Sequence, residues 1–305
     1  MRIRLSTVLV GVLGLAGALA LVAPPAQAAP SRSTATVADQ LILEPTDRGY
    51  RGSLRVDLTY RGTEPGRATY VITEPIAGSY QNAEWGVSCY SGGELLPDGR
   101  TRVECDVPGG ALAPGEQRIF TIDFQVLTNV RPYAMKAGKG EVAVKVGGTL
   151  VTDKKFATKF RSTTGTLANP RPYVQDTQPD VAVTVAGDLT MVRQPDGWFE
   201  GRLPVTVSYH SDAPHLWVSI SGRNLPPSFG WPWSQECGHE CVPGAPLMQG
   251  EARTFDLYFS APSDTPLGDL GEVGVEVTAW QRSQHPDANP ADNVATFSLI
   301  VAEAA

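Results

Sequence analysis

The sequence predicts an all-β protein built as two tandem sandwich domains. Three observations carry that expectation. Apolar and polar residues alternate over short runs, as in strands with one buried face; Gly52–Tyr60 sets Leu54, Val56, Leu58 and Tyr60 on one side. Turn formers separate these runs (Pro97-Asp98-Gly99, Pro108-Gly109-Gly110, Ala113-Pro114-Gly115, Asp196-Gly197, Pro243-Gly244), and no segment of helical period follows the first 28 residues. Finally, the whole pattern occurs twice in the same order.

The chain opens with Arg2 and Arg4, an apolar run from Val8 to Val22, and small residues at Ala26-Gln27-Ala28. This is the layout of an export signal removed after residue 28. The run is too short and alanine-rich for a membrane span. Residues 29–38 are small and polar and read as a flexible leader. The strand at Gly52–Tyr60 returns 149 residues later as Gly201–Tyr209, with the aromatic at its end kept. Pro204 in that second copy removes a backbone donor, so the strand lies at an edge or its proline faces out. Trp85 and Trp233 are 148 residues apart, Cys105 and Cys241 136, Gly115-Glu116 and Gly250-Glu251 135, and Gly140–Val146 and Gly271–Val277 131. A spacing that contracts stepwise is that of a duplication whose loops differ and whose strands do not. The domains are expected at 29–160 and 180–305, joined by a linker at 161–179 that proline keeps extended and semi-stiff.

The four cysteines divide two per half, and an exported chain favours their oxidation. Equivalent cysteines in a repeat serve equivalent roles, which favours Cys89 with Cys105 and Cys237 with Cys241. The first bridge closes a loop for which chain entropy gives about 3 kcal/mol. Charge is uneven. Residues 29–160 hold 16 Lys+Arg against 15 Asp+Glu, and residues 161–305 hold 7 against 17. All six lysines fall between Lys136 and Lys159.

Leu112-x-Pro114-Gly115-Glu116-x-x-x-Phe120, followed by alternating apolar residues, resembles the immunoglobulin-like repeats of bacterial cell-surface and secreted proteins, among them the cell-adhesion-related repeats of bacteria. Asp287-Ala288-Asn289-Pro290-Ala291-Asp292-Asn293 looks like the Asp/Asn-rich turn such repeats carry before their last strand. The first copy lacks a good version of that turn, and the second has Met248-Gln249 where the first has Ala113-Pro114. The resemblance implies immunoglobulin-like sandwiches and an extracellular setting. It brings no catalytic residues.

Four places could carry function. Phe229, Trp231 and Trp233 sit on a proline-rich loop and could form an aromatic platform for sugar rings or a protein; alternatively Trp233, like Trp85, packs against its disulfide. Lys136, Lys139, Lys145, Lys154, Lys155 and Lys159 could meet an anionic polymer, or could guard a sheet edge against pairing. Asp287, Asn289 and Asp292 offer oxygen ligands for calcium, but without the spacing of a twelve-residue calcium loop, and they also suit a self-bonded turn. Cys237-Gly238-His239-Glu240-Cys241 is too poor in ligands for zinc and reads as a disulfide.

No cofactor is expected. Neither a nucleophile elbow nor a phosphate-cradling loop nor His-Glu-x-x-His occurs, and the four histidines all lie in the second half. The acidic balance and lack of a binding motif argue against nucleic acid. The expected function is a secreted, non-catalytic envelope or extracellular module that binds or spaces, with cell-wall polysaccharide or another surface protein as partner. The alternative is a carbohydrate-binding protein using the Phe229–Trp233 loop. A secreted hydrolase comes third.

Overall fold

The computed structural model describes residues 32–80, 89 and 93–304. The export signal and Trp85 lie outside them. In the first half the strands are β1 (Thr34–Val37), β2 (Gln40–Thr46), β3 (Gly49–Thr59), β4 (Ala68–Thr73), β5 (Glu94–Leu95), β6 (Thr101–Asp106), β7 (Gln117–Val126), β8 (Met135–Val146), β9 (Thr149–Phe160) and β10 (Arg171–Pro172). The second half holds β11 (Val181–Val185), β12 (Leu189–Arg193), β13 (Phe199–Tyr209), β14 (Trp217–Arg223), β15 (Trp233–Ser234), β16 (Gly238–His239), β17 (Glu251–Ala261), β18 (Gly268–Trp280) and β19 (Val294–Ala302). No helix occurs among the described residues, so none there is long and apolar enough to cross a membrane.

Both halves are immunoglobulin-like sandwiches with the same wiring. β3 pairs with β7, and β13 with β17, to make one layer. β4, β8 and β9 form the facing layer of the first half, and β14, β18 and β19 that of the second. β2 and β12 each switch layers, antiparallel to β3 or β13 and parallel to β9 or β19. Among the described residues no strand of one half pairs with a strand of the other.

The alternating sequence explains the packing. Leu54, Val56 and Leu58 of β3 meet Phe120, Ile122 and Phe124 of β7 in one core, with Val142, Val144, Phe156 and Phe160 from the other layer. Leu203, Val205, Val207, Leu257 and Phe259 face Val273, Val275, Val277, Phe297 and Leu299 in the second. Each fully buried large side chain contributes about 1.5–3 kcal/mol.

Two local expectations need adjusting, and the alternatives at Pro204 resolve. Residues Thr34–Val37, read as leader, form β1 along β3, because Val37 reaches the core and the backbone completes the ladder. Of the two readings of Pro204, the second holds: β13 is central, and its proline faces outward at the place where the flanking chain passes from β11 to β12. There Ala186 donates to the Pro204 carbonyl and no donor is asked of the proline. The segment 161–179, read as an extended linker, is docked along the first half: β10 pairs in parallel with Met135-Lys136, and the Tyr173 ring packs 4.8 Å from that of Phe160.

The duplicated Gly-Glu-x-Arg is a turn clamp. Arg118 donates to Glu116 and to the carbonyls of Pro108, Gly110 and Ala111. Arg253 repeats this with Glu251, Pro243, Ala245 and Pro246. The glutamates also accept a backbone N–H, from Ala113 and Met248 respectively. Tyr60 and Tyr209 likewise play one role twice, each donating its hydroxyl to the carbonyl four residues on, Glu64 or Ala213.

Candidate functional site

The two cysteine pairs are joined as disulfides, Cys89–Cys105 and Cys237–Cys241. Cys105 is fully buried on β6, and Tyr80 lies against both sulfurs of its bridge. The second bridge closes the β15–β16 hairpin near the surface.

The aromatic loop before it does not present three rings together. Phe229 turns onto the second core. Trp233 is half-buried and stacks on Tyr258 of β17, centroids 4.8 Å apart. Only Trp231 stands out, 65% exposed.

A different aromatic pair is assembled on the opposite layer. Trp217, first residue of β14, lies directly across from Trp280, last residue of β18. Their rings stack with centroids 5.8 Å apart and planes 26° apart, and Trp280 Nε1–H donates to Ser219 Oγ at 2.9 Å. Both stay about half exposed, at 52% and 49%. A shallow notch of about 50 Å³ beside Trp217 is lined by Leu216, Val242, Pro246 and Leu247. Sequence motifs do not reveal this pair, whose members are 63 residues apart; the signal is that each ends an alternating run on its polar-facing phase.

The lysines lie on or beside the β8–β9 hairpin. Lys145, Lys154 and Lys155 are paired with Glu104, Asp39 and Glu141. Lys136 sits opposite Lys159 across the ladder, and Lys136 and Lys139 are exposed.

Of the proposed calcium ligands, Asp287 and Asp292 meet Asp180 just before β11, with one carboxylate oxygen from each within 4.8 Å of the others. These three could share a divalent cation. Asn289 acts as a donor here, its Nδ2 to Asp292 at 2.7 Å and its N–H to Asp287, while Asp287 also accepts from Val181 N–H. Burial, reinforced by the two neighbouring aspartates against the opposing pull of His210, raises the Asp180 carboxyl.

The halves meet at a specific joint. Gln249 N–H donates to Leu127 O at 3.0 Å, and its side-chain oxygen accepts from Thr128 Oγ1 and Asn129 N–H. Arg48 donates to Pro246 O at 2.6 Å and pairs with Glu251. Asp212 accepts from the Tyr173 hydroxyl and from Asp176 N–H, both at 2.8 Å, and burial raises its carboxyl. Gln175 bridges Ala77 O and Asp212 O. The buried Glu74 carboxylate collects N–H groups from Gly78, Tyr80 and Thr101, which fixes the loop that brings Gly78 against Pro214. A polar cleft of about 290 Å³ remains beside Tyr173, Asp212, Thr128 and Gln249. The departure at Met248-Gln249 thus has a physical cause: proline at that site could not donate to Leu127.

No family model and no curated protein matches this chain. Among solved structures, it is similar to the CARDB domain of a Pyrococcus furiosus protein solved in complex with di-metal ions, at 14% identity and a TM-score of 0.27, covering 43% of this chain and 94% of that one. It is also similar to a protein of unknown function from Porphyromonas gingivalis W83, at 11% identity and a TM-score of 0.23, covering 88% and 98%.

Proposed function

We propose that the chain is a secreted, non-catalytic module that holds two sandwich domains at a set angle and presents them to a partner in the cell envelope. The joint carries this reading. A spacer or display module must transmit orientation, and a loose tether would not need an interface in which Gln249, Arg48, Tyr173 and Asp212 each find a partner in the other half. Two disulfides fit an oxidising compartment outside the cytoplasm. The partner is cell-wall polysaccharide or another surface protein. The lysine hairpin is the place for an anionic polymer, with Lys136, Lys139, Lys154 and Lys155 exposed on it.

The test is to incubate the mature protein with envelope material, sediment it, and analyse pellet and supernatant. Saturable co-sedimentation with no soluble product supports the reading. Time-dependent release of soluble fragments refutes it in favour of a hydrolase.

A further inference from the structure

We propose that Trp217 and Trp280 form a binding platform for the sugar rings of a neutral polysaccharide; this rests on the reading of the chain as a non-catalytic binding module. The two halves share their wiring, so their differences locate what the second has gained. In the first half the edge of β4 is covered by β6, from Thr69–Asp106 to Thr73–Arg102. In the second, no strand among the described residues pairs with the equivalent edge of β14, which receives a backbone N–H from Val242 at Val218 O. The facing ladder is also longer. β8 ends at Val146 and the chain turns at Gly147-Gly148, both at positive φ. The counterpart of Val146, 131 positions on, is Val277, yet β18 continues through Thr278 and Ala279 to Trp280. The stacked pair stands on that extension.

The surroundings select the ligand. Behind the tryptophans, outward positions of the β14–β18 ladder hold Ser219 opposite Thr278 and Ser221 opposite Glu276. The Glu276 charge is met by Arg223 at 3.6 Å. The strip therefore offers indole faces and hydroxyls with little net charge. A pyranose ring has the matching surface: an apolar face of C–H bonds for the indole and a rim of hydroxyls for the serine and threonine side chains. Two cations near the strip are already engaged, Arg223 with Glu276 and Arg253, which lines the notch, with Glu251 at 2.6 Å, so an anionic polymer would have to compete for them. A protein partner's anchor side chain would want a deep desolvated pocket, and the notch beside Trp217 holds only about 50 Å³. The Trp280–Ser219 hydrogen bond fixes one ring in advance, lowering the entropy lost on binding.

The experiment uses the mature protein with microcrystalline cellulose, chitin and insoluble xylan, plus dextran sulfate beads as the anionic comparison, each with and without 1 M salt. Variants are W217A/W280A, the ring-preserving W217F/W280F, and W231A. Expected is salt-resistant pelleting on at least one neutral polysaccharide, weakened about tenfold or more in W217A/W280A, largely kept in W217F/W280F, and unchanged in W231A. The platform is overturned if the unmodified protein binds no neutral polysaccharide, if W217A/W280A binds as well as the unmodified protein, or if salt abolishes binding. Pelleting with whole envelope but with none of the polysaccharides would overturn the platform and leave the module reading standing. Soluble sugar release would overturn the module reading itself.

Discussion

His215 gives the second half an acid sensitivity that a single substitution should remove. Its ring lies 4.3 Å from that of Tyr209, and its Nε2 accepts the Leu247 N–H at 3.0 Å. Burial pushes its pKa down to about 4, with the Arg253 charge adding to the effect and Glu251 opposing it. Protonation would also take away the lone pair that Leu247 uses. Between about pH 6.5 and pH 4 the unfolded chain carries this proton and the folded chain does not, so the folded state loses stability as pH falls through that window. A fall from 6.5 to about 4 corresponds to about 3 kcal/mol, gone by pH 4 and fully present above pH 6.5. His215→Gln keeps an oxygen for Leu247 and cannot titrate. At pH 7.5 the variant should be less stable by about 1–2 kcal/mol, for the lost ring contact. At pH 4 the order should reverse. Denaturant titrations followed by tryptophan fluorescence suit the question, since five of the six tryptophans lie in the second half. Carboxylates common to both proteins cancel in the difference. Stability curves for the two proteins that stay parallel from pH 4 to 7.5 would refute the reasoning.

Other perturbations have expected outcomes of their own. Gln249→Pro removes the donor to Leu127 and strands Thr128, so interdomain distances between spin labels should broaden and stability fall by about 2 kcal/mol; an unchanged distance distribution would count against the joint. Gly78→Val would place a Cβ 2.5 Å from Pro214 on a backbone at φ +68, and should cost about 2–4 kcal/mol by equilibrium unfolding. Arg118→Met and Arg253→Met should each cost about 1–3 kcal/mol, read as separate losses in the two halves, because each leaves carbonyls of its loop without a donor. Asp180→Asn, which removes one of three crowded carboxylates, should raise the melting temperature at neutral pH without added divalent cations; a lower one would mean the charge is compensated.

What the sequence shows and hides follows from the range of the interactions. Strand periodicity and turn chemistry are local, and the duplication compares like with like, so the all-β class and the cysteine pairs could be read directly. Sites made by tertiary register could not. Trp217 and Trp280 become neighbours only through the β14–β18 pairing, and Asp180 joins Asp287 and Asp292 only because β11 runs beside the turn before β19. Phe229 misled for the converse reason: a proline-rich loop looks exposed in sequence, while burial depends on which groove the folded chain offers; Trp233 took the packed alternative, stacked on Tyr258. The docking of 161–179 was hidden because its anchor, Tyr173 against Phe160, is one aromatic among prolines.

The joint also has a direction. The first copy keeps proline at the position where the second has Gln249, and the acceptor corner Leu127–Asn129 belongs to the first. In a chain with its halves exchanged, Pro114 would meet a foreign corner with no N–H to give, and Gln249 would have no carbonyl waiting. Two copies that began interchangeable have become a left and a right. Engineering that transplants either domain into a longer array should carry both sides of this contact or rebuild it.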